Sequence, residues 1–180
     1  MSKINVWPII VNHVRTLRDH STRKLSIGDM LLFFGLPLAL SLVGLRFKWN
    51  FSVNALNALL AAFSIFAGLL LNLLILVYTF STDSVQPNAL AKLKTEFIRQ
   101  LHDNISFSVL ISVSVVVVAL FAVMRVKADG TINSDRIEIG LTAVLVYLTA
   151  HFILTLLMIL KRIHALLSEK LDRPLMRKAS

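Results

Sequence analysis

The chain has 180 residues, of which 56% are hydrophobic and only 16% charged, with a formal net charge of +9 and a mean hydropathy of +0.75. That balance excludes an ordinary soluble domain, in which about a quarter of the residues are charged. The lack of cysteine excludes disulfides, thiolate metal sites and a cysteine nucleophile. Four apolar stretches, 30–45, 53–78, 105–123 and 139–160, contain no Asp, Glu, Lys or Arg. A hydrocarbon core of about 30 Å takes roughly 20 residues of helix, the element that satisfies its own backbone polar groups there. The expectation is an all-α polytopic membrane protein with four transmembrane helices, short amphipathic cytoplasmic helices and a cytoplasmic extension of the fourth helix.

Residues 1–28 read as a basic, amphipathic cytoplasmic segment with no continuous apolar core, so they do not form a secretory signal. Trp7, Ile10, Val14 and Leu17 recur at helical spacing after a first-turn proline, Pro8, while His13, Arg15 and Arg18 fall off that stripe, a pattern suited to a helix lying on headgroups. Arg15, Arg18, Arg23 and Lys24 precede the membrane domain, which is read as 29–160. In the first span Pro37 removes one donor and crowds the carbonyl of Phe33, so a bend is expected between Gly35 and Ser41, either static or a gating hinge. Lys48 to Phe51 form a tight outer connection with an interfacial tryptophan, Trp49.

The second span carries the clearest polar pattern. At about 100° per residue, Asn57, Ala61, Ser64, Gly68, Asn72 and Thr79 fall within an arc of roughly 80°, a small and polar face along one helix. An amide in hydrocarbon is costly without a partner, so this face is expected to meet protein or water. Packing between helices through Ser64 and Gly68 is one reading. The other is a pore lining in an oligomer, with Asn57, Ser64, Gly68, Asn72 and Thr79 offering neutral dipoles to ions.

After Pro87, Leu90, Leu93, Phe97 and Leu101 predict an amphipathic cytoplasmic helix at about 82–104 feeding the third span. In that span Ser108 and Ser112 form a small-xxx-small pair, read as packing, since a serine nucleophile needs a base beside it. The turn at Asp129-Gly130 joins it to the fourth span, where Tyr147, His151, Thr155, Met158 and Arg162 share a stripe. His151 is the only histidine within a span. It is read either as a neutral imidazole bonded to Tyr147, Thr155 or an asparagine, or as the titratable group of a proton-coupled transporter. His13, His20, His102 and His164 assemble no metal-binding spacing, and no metal or cofactor is expected. Leu160, Ile163, Leu167 and Leu171 extend the fourth helix as a basic stem, 161–180, that is expected to stop at Asp172-Arg173-Pro174.

Basic residues concentrate in the two tails and the middle connection, which places both termini on the cytoplasmic side of the cell membrane. Enzymes and coupled transporters in membranes keep charge or broken helices near the midplane; with one histidine and no carboxylate there, the expectation is not an enzyme. Arg15, Arg18, Arg23 and Lys24 together with Lys161, Arg162, Arg173 and Arg177 are candidates for holding a polyanion such as a nucleotide or oligonucleotide. The layout, with the stretch from Phe63 to Tyr78 and the run from Asn104 to Ser108, resembles the small four-span effectors of bacterial antiphage nucleotide-signalling systems. That resemblance implies a homo-oligomeric, poorly selective, ligand-gated channel that depolarises the membrane in antiviral defence, with a cytosolic signalling partner. The alternative is a non-conducting membrane anchor or partner subunit of a larger complex.

Overall fold

The structure, a computed structural model, describes residues 5–16, 27–82, 89–125 and 136–178, and the side chains among them at 5–16, 28, 30–79, 95–125 and 136–164. All regular elements among these residues are helical: α1 (Trp7–Thr16), α2 (Ile27–Met30), a π turn (Leu31–Gly35), α3 (Leu36–Arg46), α4 (Val53–Thr82), α5 (Ala89–Met124) and α6 (Arg136–Lys178). Three stretches within them, Val53–Thr79, Thr95–Met124 and Arg136–His164, are long and apolar enough to cross a membrane; Leu31–Arg46 is a shorter apolar helix. The outward surface suits lipid, with Leu31, Leu69, Ile75 and Leu157 more than half exposed.

The long helices stand in an open row. α5 lies between α4 and α6, α3 packs on α6, and α1 lies against α5. Among the described residues α4 has no backbone neighbour but α5, so it forms the edge of the row. The seam between α4 and α5 follows from the sequence spacing. Leu56, Phe63, Leu70 and Val77 are buried at intervals of seven, and on α5 the buried positions Leu101, Ile105, Ser108, Ser112, Val115, Ala119 and Ala122 alternate steps of four and three. Both sets follow the 3.5-residue repeat of a coiled-coil seam, and the α5 set includes the small side chains of Ser108, Ser112, Ala119 and Ala122. Phe63 and Phe66 reach past the seam to Phe152 of α6, ring centroids 4.9 and 5.4 Å away. The hydroxyls of Ser108 and Ser112 are buried and donate to the carbonyls of Asn104 and Ser108, so they are held within their own helix.

α3 ends in a Schellman motif. The N–H of Trp49 donates to Gly44 at 2.9 Å and that of Lys48 to Leu45 at 3.3 Å, with Lys48 at φ 52°. The indole lies over Gly44, where a Cβ would stand 3.4 Å from the ring. Lys48 takes the left-handed position that glycine usually fills, and the paired carbonyls offset its cost of about 1 kcal/mol. Ser52 then caps α4, its Oγ accepting from the Ala55 N–H.

Two sequence expectations are corrected at α1 and α6. The helix α6 continues through Pro174 to Lys178 rather than stopping at Asp172-Arg173-Pro174. The proline leaves one carbonyl, that of Lys170, without its helical donor while the rest of the ladder continues. In α1 His13, which the spacing sets off the apolar stripe, is buried together with Thr16, while on the stripe Trp7 is 67% exposed and Ile10 half-buried.

At the end of the row remote from α1, Arg125 closes the hairpin of α5 and α6 through Nε to Glu138 Oε1 at 2.6 Å, with Glu138 only 3% exposed. Removing one partner leaves a buried charge, so Arg125→Ala should destabilise the fold by about 3–5 kcal/mol. The double change Arg125→Met with Glu138→Gln should recover most of it. Denaturant titration of the detergent-solubilised protein measures both, and equal losses in the single and double variants would contradict the buried pairing.

Candidate functional site

Proline chemistry builds the first candidate site. Pro37 has no N–H, so the carbonyl of Phe33, four residues earlier, lacks its helical donor. The backbone widens locally: Leu31–Gly35 is a π turn in which the N–H of Leu36 reaches back five residues to Leu31. His151 of α6 takes the open place, its Nδ1 donating to the Phe33 carbonyl at 2.8 Å. A carbonyl only accepts, so Nδ1 carries the proton and the imidazole lone pair is left on Nε2. The expected partners of His151, Tyr147, Thr155 or an asparagine, are therefore replaced by a backbone group. Tyr147 stacks on the ring at 5.9 Å between centroids, and the Thr155 hydroxyl donates to the carbonyl of His151 rather than to its ring.

Around this bond the structure gathers residues distant in sequence. His13 of α1 is wholly buried, stacked on Phe107 with centroids 3.8 Å apart and set edgewise to His151 at 5.9 Å. Its Nδ1 donates to Asn104 Oδ1 at 3.0 Å, and the Thr16 hydroxyl, 2.8 Å from the same oxygen, also lies 2.7 Å from the carbonyl of His13. Arg162 Nη2 donates to the Thr16 carbonyl at 2.8 Å, placing a cation at the C-terminus of α1, where the helix dipole favours it. Asn12 adds a bond to Asp103 at 3.4 Å. Burial pushes the His13 imidazole down to about 4, the Asn104 bond opposing this and the neighbouring His151 and Arg162 adding to it. Four polar atoms of this node, Nε2 of His13 and of His151, Nδ2 of Asn104 and Nη1 of Arg162, are buried without a hydrogen-bond partner.

The spacing of His13 and Asn104 gave no sign of this meeting. Only an unpaired amide in the apolar approach to span three and the proline in span one signalled that donors and acceptors were needed there. No group of three or more His, Cys, Asp or Glu suited to a metal occurs among the described residues.

The second candidate site is the outer face of α4. Asn57, Ser64, Gly68, Asn72 and Thr79 are all exposed, on the side of the helix away from the Leu56, Phe63, Leu70 and Val77 seam. A Cβ added at Gly68 would meet nothing within 4 Å. The Thr79 hydroxyl donates to the Leu76 carbonyl, whereas Asn57, Ser64 and Asn72 have no side-chain hydrogen bond among the described residues. Ile75 interrupts the stripe between Asn72 and Thr79. Of the basic candidates, Arg15 and Lys161 are exposed and Arg162 is engaged by α1; Arg18, Arg23 and Lys24 and the side chains of Arg173 and Arg177 lie outside the described residues.

Compared with protein-family models, with curated proteins and with solved structures, the chain matches none of them. The geometry around Phe33 gives a test by double-mutant cycle. His151→Phe should cost about 1–3 kcal/mol by leaving the carbonyl unpaired. In a Pro37→Ala background, where residue 37 regains an N–H, the same change should cost at least about 1 kcal/mol less. Additive losses in denaturant titrations would show that the two residues do not share that carbonyl.

Proposed function

We propose that this chain is one subunit of an oligomeric, poorly selective membrane pore. It crosses the membrane four times with both termini cytoplasmic, and the Asn57, Ser64, Gly68, Asn72 and Thr79 face of α4 borders a shared aqueous axis. The observation that carries this reading is the outward direction of that face: the amides of Asn57 and Asn72 and the Ser64 hydroxyl have no partner among the described residues of their own chain. Amides turned to lipid cost several kcal/mol each, and water or a second copy removes that cost. With neutral dipoles and no ring of charge, ions of either sign are weakly distinguished. Opening such a pore dissipates ion gradients, the action of an antiphage effector that requires no catalysis. A nucleotide or oligonucleotide, held by Arg15 and Lys161 with the other basic residues of the two tails, supplies the gating signal from a cytosolic partner.

A non-conducting anchor is the second reading, favoured by the open space over Gly68, which admits the backbone of a neighbouring helix. Reconstituted into liposomes with and without cyclic or linear oligonucleotides, the protein should conduct as a pore. Asn72→Leu and Ser64→Leu should lower or reshape that conductance at least severalfold while native mass analysis still finds the oligomer. Loss of assembly in step with conductance, or no conductance at all, would favour the anchor.

A further inference from the structure

We propose that α1 is a proton-operated latch: with His13 neutral it docks on α5 and α6, and a proton taken up by His13 releases it. This holds whether or not the α4 face conducts. The geometry gives each nitrogen of the ring one fate. Nδ1 spends its proton on Asn104 Oδ1, and Nε2 is buried with no partner, so among the described residues a second proton has no acceptor within hydrogen-bond distance. The charge it brings would be held out of water between Phe107 and Phe33, and the attraction of the Phe107 ring face for a cation offsets that burial only in part.

The charged and titratable groups on every side favour the neutral ring. From α6, Arg162 brings a cation onto the Thr16 carbonyl one turn away, His151 lies edgewise to His13, and the Tyr147 ring backs His151. The π turn and α3 offer only Phe33 and Phe34 to the node. On α5 the nearest carboxylate, Asp103, is occupied by Asn12 and sits 3.9 Å from His102. On α1 itself Arg15 is exposed and cationic. Among the described residues, then, no carboxylate contacts the imidazole to stabilise a charged form.

The dock is also loosely paired. α1 is held through His13, Thr16 and Asn12 and by the half-buried Ile9 and Ile10, while Val6 and Trp7 stay outside. The unpartnered atoms of Asn104 and Arg162 subtract from what those bonds contribute. Released, His13 regains its ordinary affinity for protons, near 6.5, against about 4 when docked. The released state thus binds more protons, so docking is strongest above about pH 6.5 and weakens as pH falls towards 4. Between pH 7.5 and 5.5 the ratio of docked to released α1 should drop about tenfold.

The absence of native cysteine allows a clean distance measurement on the full chain in lipid nanodiscs. Spin labels are placed at Val6→Cys and Lys161→Cys, both exposed positions. The expected result is a short-distance population at pH 7.5, with the longer-distance population gaining about tenfold relative to it at pH 5.5, reversibly. His13→Asn keeps a donor where Nδ1 stood but cannot titrate, and should show the same distribution at both pH values. His102→Gln, an exposed control, should respond as the native chain does. A native distribution that does not change with pH, or a shift that persists in His13→Asn, would overturn the latch.

Discussion

A backbone carbonyl left without its helical donor, in a buried apolar stretch, organises one end of this molecule. Pro37 cannot bond back to Phe33, and the cost of an unpaired backbone group in hydrocarbon is several kcal/mol. The protein meets it in two ways, by widening the backbone into a π turn and by bringing His151 across from α6. Once that imidazole is held by its Nδ1, its position fixes what else fits beside it. The aromatic rings of Phe33, Phe34, Phe107 and Tyr147 surround it, and His13 enters on the remaining side. The π turn and the reach of His151 across to it trace to one missing N–H, and the second buried histidine packs edgewise to that ring.

The polar residues of the apolar helices divide by what they touch. Asn104, Ser108, Ser112 and Thr155 are fully buried and bonded, so they belong to the packing of this chain. Asn57, Ser64 and Asn72 have the same chemistry but sit on the free side of an edge helix. The difference comes from the row arrangement: α5 is enclosed by α1, α4 and α6, whereas α4 has a backbone neighbour on one side. A fold that stopped at one chain would leave its most polar transmembrane surface against lipid, which is the physical reason to place a second copy and water there.

Much of this was legible in the sequence. Charge-free apolar stretches located the long helices, and Pro37 marked the distortion in the first of them. The polar arc of α4 was visible as an arc, because rotation per residue is a property of the helix alone. Its direction relative to α5 required the 3.5-residue seam, which is only recognised when both helices are aligned. The node was hidden for a related reason. His13 reads as a polar-face residue when α1 is taken as a lone surface helix, since periodicity ranks it by hydrophobicity and not by the partner waiting in α5. Asn104 stands at the boundary between an amphipathic segment and a span, and its partners are some 90 residues away. The continuation of α6 through Pro174 was missed because proline is usually a stop, whereas it removes one hydrogen bond and can leave the rest of the ladder in place.

The claim on which the functional account turns is that the polar arc of α4 meets water within the membrane while the adjoining outward face meets lipid. In this cysteine-free chain, single cysteines at Asn57, Ser64 and Asn72 can be compared with single cysteines at Ile65 and Leu69 for reaction with a charged, membrane-impermeant thiol reagent in proteoliposomes under activating conditions. The account predicts modification at the first three positions and protection at the other two. Equal protection at all five, with the reagent present on both sides of the membrane, would contradict it.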